Sequence, residues 1–202
     1  MNVISNRVKV WYAKLLKRLI DVIFSITLLI ILFFPGLLIA FLIKYTSEGP
    51  VFFKQIRVGR NGQKFVIYKF RTMSVEAPHE LATSEACDLS EYITSIGSLL
   101  RKTSIDELPQ LINVLIGNMS IVGPRPLIPS EKQINKERHI MGVDTVLPGI
   151  TGLAQVKGRD MLNDNQKLKY DLEYCNNLSI GLDFRIICMT IRNVIQHKDI
   201  KN

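Results

Sequence analysis

The chain has 202 residues, 47% of them apolar, and its 26 Lys+Arg outnumber 18 Asp+Glu for a net charge of +8. This is enough for one sizeable core, and the positive balance suits an anionic partner: lipid head groups, phosphates or nucleic acid. Isolated cysteines (Cys87, Cys175, Cys188) and scattered histidines (His79, His139, His197) exclude a disulfide framework and a zinc site of the usual spacing, so the thiols are expected to be small and buried.

Between Asp21 and Lys44 run 22 uncharged residues, VIFSITLLIILFFPGLLIAFLI. As a straight helix they would span about 33 Å, close to the thickness of a hydrocarbon core. The run is too long for the apolar part of a secretion signal, and no small-residue cleavage site follows it. It is apolar on every face, which argues against a buried helix of a soluble domain. Pro35-Gly36 interrupts its middle, where proline removes an amide and crowds the preceding turn. Arg7, Lys9, Lys14, Lys17 and Arg18 precede the run, and Lys44, Lys54 and Arg57 follow it. Positive charge on both sides gives a crossing no orientation, but suits a re-entrant hairpin with both flanks cytoplasmic. A kinked spanning helix stays open as the alternative.

PVFFKQIRVGRNGQKFVIYKF (residues 50–70) reads as two strands joined around Asn61-Gly62. The second strand ends in YKFRTM, where Lys69 and Arg71 would leave one face together if the stretch stays extended. Residues 74–92 are acidic and without Lys or Arg, as expected of a mobile surface segment, and a short helix is expected around Ile93–Arg101.

RKTSIDELPQL (residues 101–111) then sets Asp106 and Glu107 side by side among cations. Ser104-Ile105-Asp106-Glu107 fits a capping box, with Ser104 at the N-cap and Glu107 reaching back. Leu108, Leu111, Ile112 and Leu115 supply a helical apolar stripe, and Gly117 can end it. On this motif alone a cap explains Glu107, and Asp106 gains only the general preference for acids at helix starts.

GNMSIVGPRPLIP (residues 117–129) brackets Arg125 with prolines, which pre-positions a planar fork suited to phosphate oxygens. LPGITGLAQVKGR (residues 147–159) is a glycine-rich turn leading into a basic, strand-like piece. There is no Walker motif and no GxGxxG. Near the end, Leu182, Ile186 and Met189 share one helical stripe, with Phe184, Ile187, Ile191 and Ile195 beside it. Arg185, Arg192 and Lys198 interrupt the band. Such a helix packs on a core or lies on a membrane surface.

Together these stretches resemble the bacterial sugar transferases in their small, monotopic, polyprenyl-phosphate phosphoglycosyl transferase form. The resemblance runs from about Lys17 to Gln196 and rests on KRLIDVIFS, GPVFFKQIRVGRNGQKFVIYKFRTM, RKTSIDELPQLINVL, MSIVGPRPL, PGITGLAQVKGR and YDLEYCNNLSIGLDFRII. It implies a mixed α/β, mostly α fold. Residues 1–45 would form a re-entrant membrane helix broken at Pro35. Residues 46–202 would form a compact cytoplasmic catalytic domain with a small β-hairpin and amphipathic interfacial helices. The location would be the bacterial inner membrane.

The implied reaction moves a phosphosugar from a UDP-sugar to polyprenyl (undecaprenyl) phosphate with release of UMP, as the first membrane step of a bacterial glycan. Carried over, Asp106 is the nucleophile, forming a covalent aspartyl-phosphosugar. Glu107 is its dyad partner, and both hold Mg2+. Lys69, Arg71, Arg101, Arg125 and Asp183 fall at positions expected near the phosphates. Membrane lipid is an implied partner, nucleic acid is not, and a homodimer stays open.

Three positions depart from the family pattern: Phe34 where a hydroxyl residue is common, Asn118 where an acid is common, and Leu153 where tryptophan is frequent. Without the hydroxyl, the membrane break is expected to rely on Gly36 or more distant partners. The implied chemistry agrees with the charge pattern, because a carboxylate attacking a diphosphate needs cations to neutralise the phosphate oxygens. A membrane-tethered nucleic-acid binder and a non-catalytic scaffold are the competing classes. No recognised nucleic-acid fold supports the first, and the intact acidic pair argues against the second.

Overall fold

The computed structural model describes residues 15–78, 90–158 and 161–196. The expectations placed on Arg7, Lys9, Lys14, His79, Cys87, Arg159, His197, Lys198 and most of the acidic stretch lie outside them. Among the described residues the fold is mixed α/β and mostly helical, with two small two-stranded sheets.

The apolar run forms two helices, α1 (Lys17–Ile31) and α2 (Phe33–Thr46), bent by 62°. No single described helix is long and apolar enough to cross a membrane, whereas this pair is, by length and composition, when taken together. The break falls at Leu32 (φ −88°, ψ 3°), so Pro35 stands in the first turn of α2 rather than at the bend. That offset follows from proline chemistry. Pro35 has no amide for the Ile31 carbonyl and its ring crowds that carbonyl, so α1 cannot continue. The Leu32 carbonyl is still satisfied, accepting from Gly36 N at 2.7 Å. Gly36 is not needed for its freedom, since a Cβ there would meet nothing within 4 Å. Of the two expected supports for the break, Gly36 thus contributes through its amide rather than through the lack of a side chain.

α1 is amphipathic in the reverse of the usual sense. Lys17, Asp21 and Ser25, four residues apart on one face, are buried against the protein, while Ile23, Ile30 and Ile31 are exposed. Asp21 Oδ1 accepts from Ile121 N at 3.2 Å. Arg18 donates to the carbonyls of Val114 (2.6 Å) and Leu115 (3.0 Å), placing a cation over a helix C-terminus. At the other foot, Ile43 is fully buried with Phe70 and Leu100. Both ends of the bent pair thus stand in one body.

The expected hairpin is present: β1 (Phe52–Val58) and β2 (Lys64–Phe70) pair antiparallel from Phe52↔Phe70 to Val58↔Lys64. Asn61 and Gly62 take φ 55° and 73° at its tip, the left-handed pair that an Asn-Gly turn supplies. Phe65 and Ile67 carry its inner face into the core with Val114, Met119 and Ile186.

Helix α3 (Ser95–Thr103) starts at Thr94, whose hydroxyl accepts from Gly97 N at 3.0 Å. After a tight turn comes α4 (Gln110–Ile116), then β3 (Ser120–Val122), paired parallel with β4 (Gly149–Thr151). The remaining helices are α5 (Lys132–Ile140), α6 (Leu153–Lys157), α7 (Asp164–Asn176) and α8 (Ile180–Ile195). The piece after β4, expected to be strand-like, is therefore the helix α6. Close backbone packing explains the glycines around it: a Cβ on Gly149 would lie 2.1 Å from Gly123 N, and one on Gly152 2.1 Å from Gly123 O. These contacts press the loop that carries Arg125 onto β4.

The last helix packs on the core with one face and exposes an apolar row on the other. Leu182, Ile186 and Met189 pack on the core, while Phe184, Ile191 and Ile195 are exposed. The thiols divide similarly. Cys175 is half-buried, but Cys188 is exposed on α8, against the expectation of a buried thiol.

Candidate active site

The acidic pair does not begin a helix. Ser104 ends α3 in the left-handed conformation (φ 56°, ψ 18°), and its side chain makes no cap hydrogen bond. Ile105–Glu107 form one 3-10 turn, and α4 starts only after Pro109. The capping box is thus a misreading, because the S-x-x-E pattern straddles the end of one helix and a separate turn. Nor does the expected stripe face inward as a whole: Leu111 is buried, Ile112 is exposed, and Gln110, Asn113 and Val114 complete the buried face. Asn113 earns its place there by bonding β2 twice, donating to Val66 O at 2.7 Å and accepting from Tyr68 N at 3.1 Å. The turn is thereby fixed against the strand that carries Lys69.

With no capping task, Glu107 turns inward and its side chain is 9% exposed. Lys69 Nζ donates to Glu107 Oε1 at 2.7 Å, and Arg125 Nη1 lies 3.4 Å from the same oxygen. Burial pushes the Lys69 ammonium below its usual range and Arg125 adds to the effect; Glu107 and Asp106 pull the other way. Lys69 thus feels both carboxylates. Arg101 occupies the last turn of α3, just before Ser104.

Arg125 is held through its main chain. Arg138 Nη1 donates to the Arg125 carbonyl at 2.7 Å, and Arg57 Nη1 to the Pro126 carbonyl at 3.3 Å. Arg138 is itself anchored by an ion pair with buried Asp171. Burial, with Arg125 close by, pushes the Arg57 guanidinium down to about 10, so it stays charged at neutral pH. Glu107 also lines an apolar groove of about 310 Å3, walled by Phe24 and Leu28 of α1 and by Ile187 and Ile191 of α8.

Lys69, Arg125, Asp106 and Glu107 therefore come together, with Arg101 one turn away. Arg71 and Asp183 are engaged elsewhere. Arg71, one residue beyond β2, bonds the Glu48 carbonyl and donates to Ser47 O at 2.9 Å, closing the end of α2. Asp183 Oδ2 accepts from Lys17 at 2.6 Å, and Oδ1 from the Tyr174 hydroxyl at 2.9 Å.

Asp106 and Glu107 supply the hard oxygen donors that magnesium prefers, and no group of three His, Cys, Asp or Glu gathers among the described residues. Two carboxylates completed by phosphate oxygens and water fit the way this ion is commonly held beside a phosphate substrate. Sequence reasoning missed Arg57, Arg138, Asn113 and the pairing of Lys17. Their signal is burial and long-range partnership, which periodicity does not carry.

The sequence pattern described as bacterial sugar transferase matches residues 12–197. The chain is 40% identical to the Bacillus subtilis protein named "uncharacterized sugar transferase EpsL", over 93% of this chain and 91% of that one. It is 42% identical to the Xanthomonas campestris UDP-glucose:undecaprenyl-phosphate glucose-1-phosphate transferase, over 93% of this chain and 40% of that one. It is 37% identical to the Salmonella typhimurium undecaprenyl-phosphate galactose phosphotransferase, over 96% of this chain and 43% of that one. The chain thus spans most of the first relative and less than half of the other two.

Proposed function

The chain belongs to the bacterial sugar transferase family and is a transferase, and from that premise we propose that it moves a phosphosugar from a UDP-sugar to polyprenyl phosphate, releasing UMP. The observation that carries this reading is Glu107, held by Lys69 and Arg125 beside Asp106 at the wall of an apolar groove. Cations, a carboxylate nucleophile and an apolar trough are what a phosphoryl transfer from a nucleotide to a lipid requires. Relatives named for glucose and for galactose transfer support the substrate class, and they differ in the sugar.

In the first step an Asp106 oxygen forms a bond to the phosphorus that bears the sugar. The bond from that phosphorus to the bridging oxygen breaks, and the oxygen leaves with its electron pair as part of UMP. In the second, a phosphate oxygen of the lipid attacks the same phosphorus and the Asp106 carboxylate is regenerated. Splitting the transfer lets one site serve two anionic substrates in turn. Arg125 and Lys69 neutralise phosphate oxygens that would otherwise repel the incoming carboxylate. Magnesium held by Asp106 and Glu107 would supply further neutralisation of those oxygens.

The lipid tail approaches through the groove between α1 and α8. The bent pair dips into the inner leaflet and returns, with the site on the cytoplasmic side. Two features support the dip: both feet of the pair are buried in the same body, and its outward face is apolar. UMP release should be assayed across a panel of UDP-sugars with and without undecaprenyl phosphate. Multiple turnover that depends on the lipid, with at least one donor, is expected. No lipid-dependent turnover with any donor would overturn the proposal.

A further inference from the structure

A second cavity, of about 240 Å3, shares no lining residue with the apolar groove. Arg125 lines it, yet the same side chain reaches to 3.4 Å from Glu107. Val58, Pro126, Val146 and Pro148 give the cavity apolar walls. Asn135 and His139 contribute polar groups, and His139 Nδ1 is paired with Asp144 Oδ2 at 2.8 Å. The cavity is built on rigid supports. Arg138, only 7% exposed, ties the Arg125 carbonyl to the α5 side of the cavity, and Arg57 ties the Pro126 carbonyl to β1.

Its volume falls below the roughly 300–1,000 Å3 of complete small-molecule sites, which suits one part of a substrate rather than the whole. A hexose turns hydroxyls in every direction and would leave several against valine and proline without partners, which is costly. A pyrimidine has two apolar faces and keeps its polar atoms on one edge. Asn135 Nδ2 donates to the Ile128 carbonyl at 2.9 Å, which leaves one N–H and the amide oxygen for such an edge, and the imidazole of His139 adds a second polar group.

Resting on the transfer proposed above, we infer that this cavity receives the nucleoside monophosphate half of the donor, with the pyrimidine between the valine and proline walls and its phosphate at Arg125. Arg125 lines this cavity and its Nη1 lies 3.4 Å from Glu107 at the wall of the groove, so it can meet the negative charge that builds on the departing phosphate. The reactive phosphorus then lies between the nucleoside cavity on one side and the apolar groove on the other. The two cavities divide the water-soluble leaving group from the lipid acceptor.

The probe is 4-thio-UMP, photo-crosslinked to the wild-type protein and mapped by peptide mass spectrometry. Adducts on the segments around Val58, Asn135–His139 or Val143–Pro148, competed by UMP but not by glucose 1-phosphate, are expected. Adducts on α8 or α1, competition by glucose 1-phosphate alone, or no UMP-competed adduct would overturn the assignment. As a second measurement, Val146→Trp should fill the cavity and weaken UMP binding at least tenfold; unchanged affinity in a folded variant would also overturn it. Binding is read without turnover, so the two proposals fail separately. Crosslinking here without any transfer sinks the chemistry, and transfer with crosslinks elsewhere sinks the cavity.

Discussion

Lys17 Nζ donates to Asp183 Oδ2 at 2.6 Å, joining the first turn of the bent helix pair to α8 across 166 residues of sequence. Both side chains are only 11% exposed, and Tyr174 holds the second carboxylate oxygen. The pair is a strut between α1 and the core. Asp183→Asn leaves a buried ammonium without its counter-charge and should cost about 3–5 kcal/mol in unfolding experiments in detergent. The double change Lys17→Met with Asp183→Leu should recover most of that, and KM for the UDP-sugar should stay near wild type. If Asp183 instead touches phosphate, KM will rise or kcat will fall without rescue by the double change.

Arg125 contributes a planar fork, not charge alone. Arg125→Lys should lower kcat/KM for UMP release by about a hundredfold, in the range seen when one transition-state donor is removed. Lys54, exposed over the Tyr68 ring on the outer hairpin surface, is the control. Lys54→Ala should change turnover by no more than about twofold. Equal losses from the two changes would reduce Arg125 to general positive charge.

Ser104 holds φ 56°, a conformation that glycine adopts without strain and β-branched residues resist. Ser104→Gly should raise the Tm slightly, and Ser104→Val should cost about 1–2 kcal/mol. A helix N-cap would behave otherwise, losing a few tenths of a kcal/mol on the glycine change. A lower Tm for the glycine variant would restore the capping role.

Burial pushes the Cys175 thiol from 9.0 up to about 12. Above pH 9.0 the unfolded thiol loses its proton while the folded one keeps it, so the unfolded state binds fewer protons and stability falls as pH rises. The loss is about 1.4 kcal/mol per pH unit across that window. Denaturant titrations at about pH 8 and pH 10 should show wild type losing about 1.4 kcal/mol more than Cys175→Ala. Parallel losses in the two proteins would mean that the folded thiol ionises normally.

What the sequence made legible was local. Asn61-Gly62 between β-branched runs announced the hairpin, and the long apolar run with Pro35 announced a broken apolar helix. The failures came where a local pattern had two physical meanings. S-x-x-E fits a helix start, but Ser104 closes the helix before it, and Glu107 is claimed by Lys69, 38 residues away. The tract after Gly152 looked extended but turns into a helix once the glycines have let two backbone segments touch. Arg57 and Arg138 sit in no local motif that marks them, and only the fold makes them clamps on the Arg125-Pro126 backbone.

The nucleophile is the central claim, and intact-protein mass tests it directly. Wild-type protein mixed with its UDP-sugar and magnesium, without lipid acceptor, should gain the mass of one phosphosugar. Adding polyprenyl phosphate should discharge it. Asp106→Asn should fold and show no gain, because an amide cannot form the acyl phosphate, while Glu107→Gln should slow turnover without abolishing the first label. An Asp106→Asn protein that still labels, or that turns over normally, would contradict the account and move the nucleophile elsewhere.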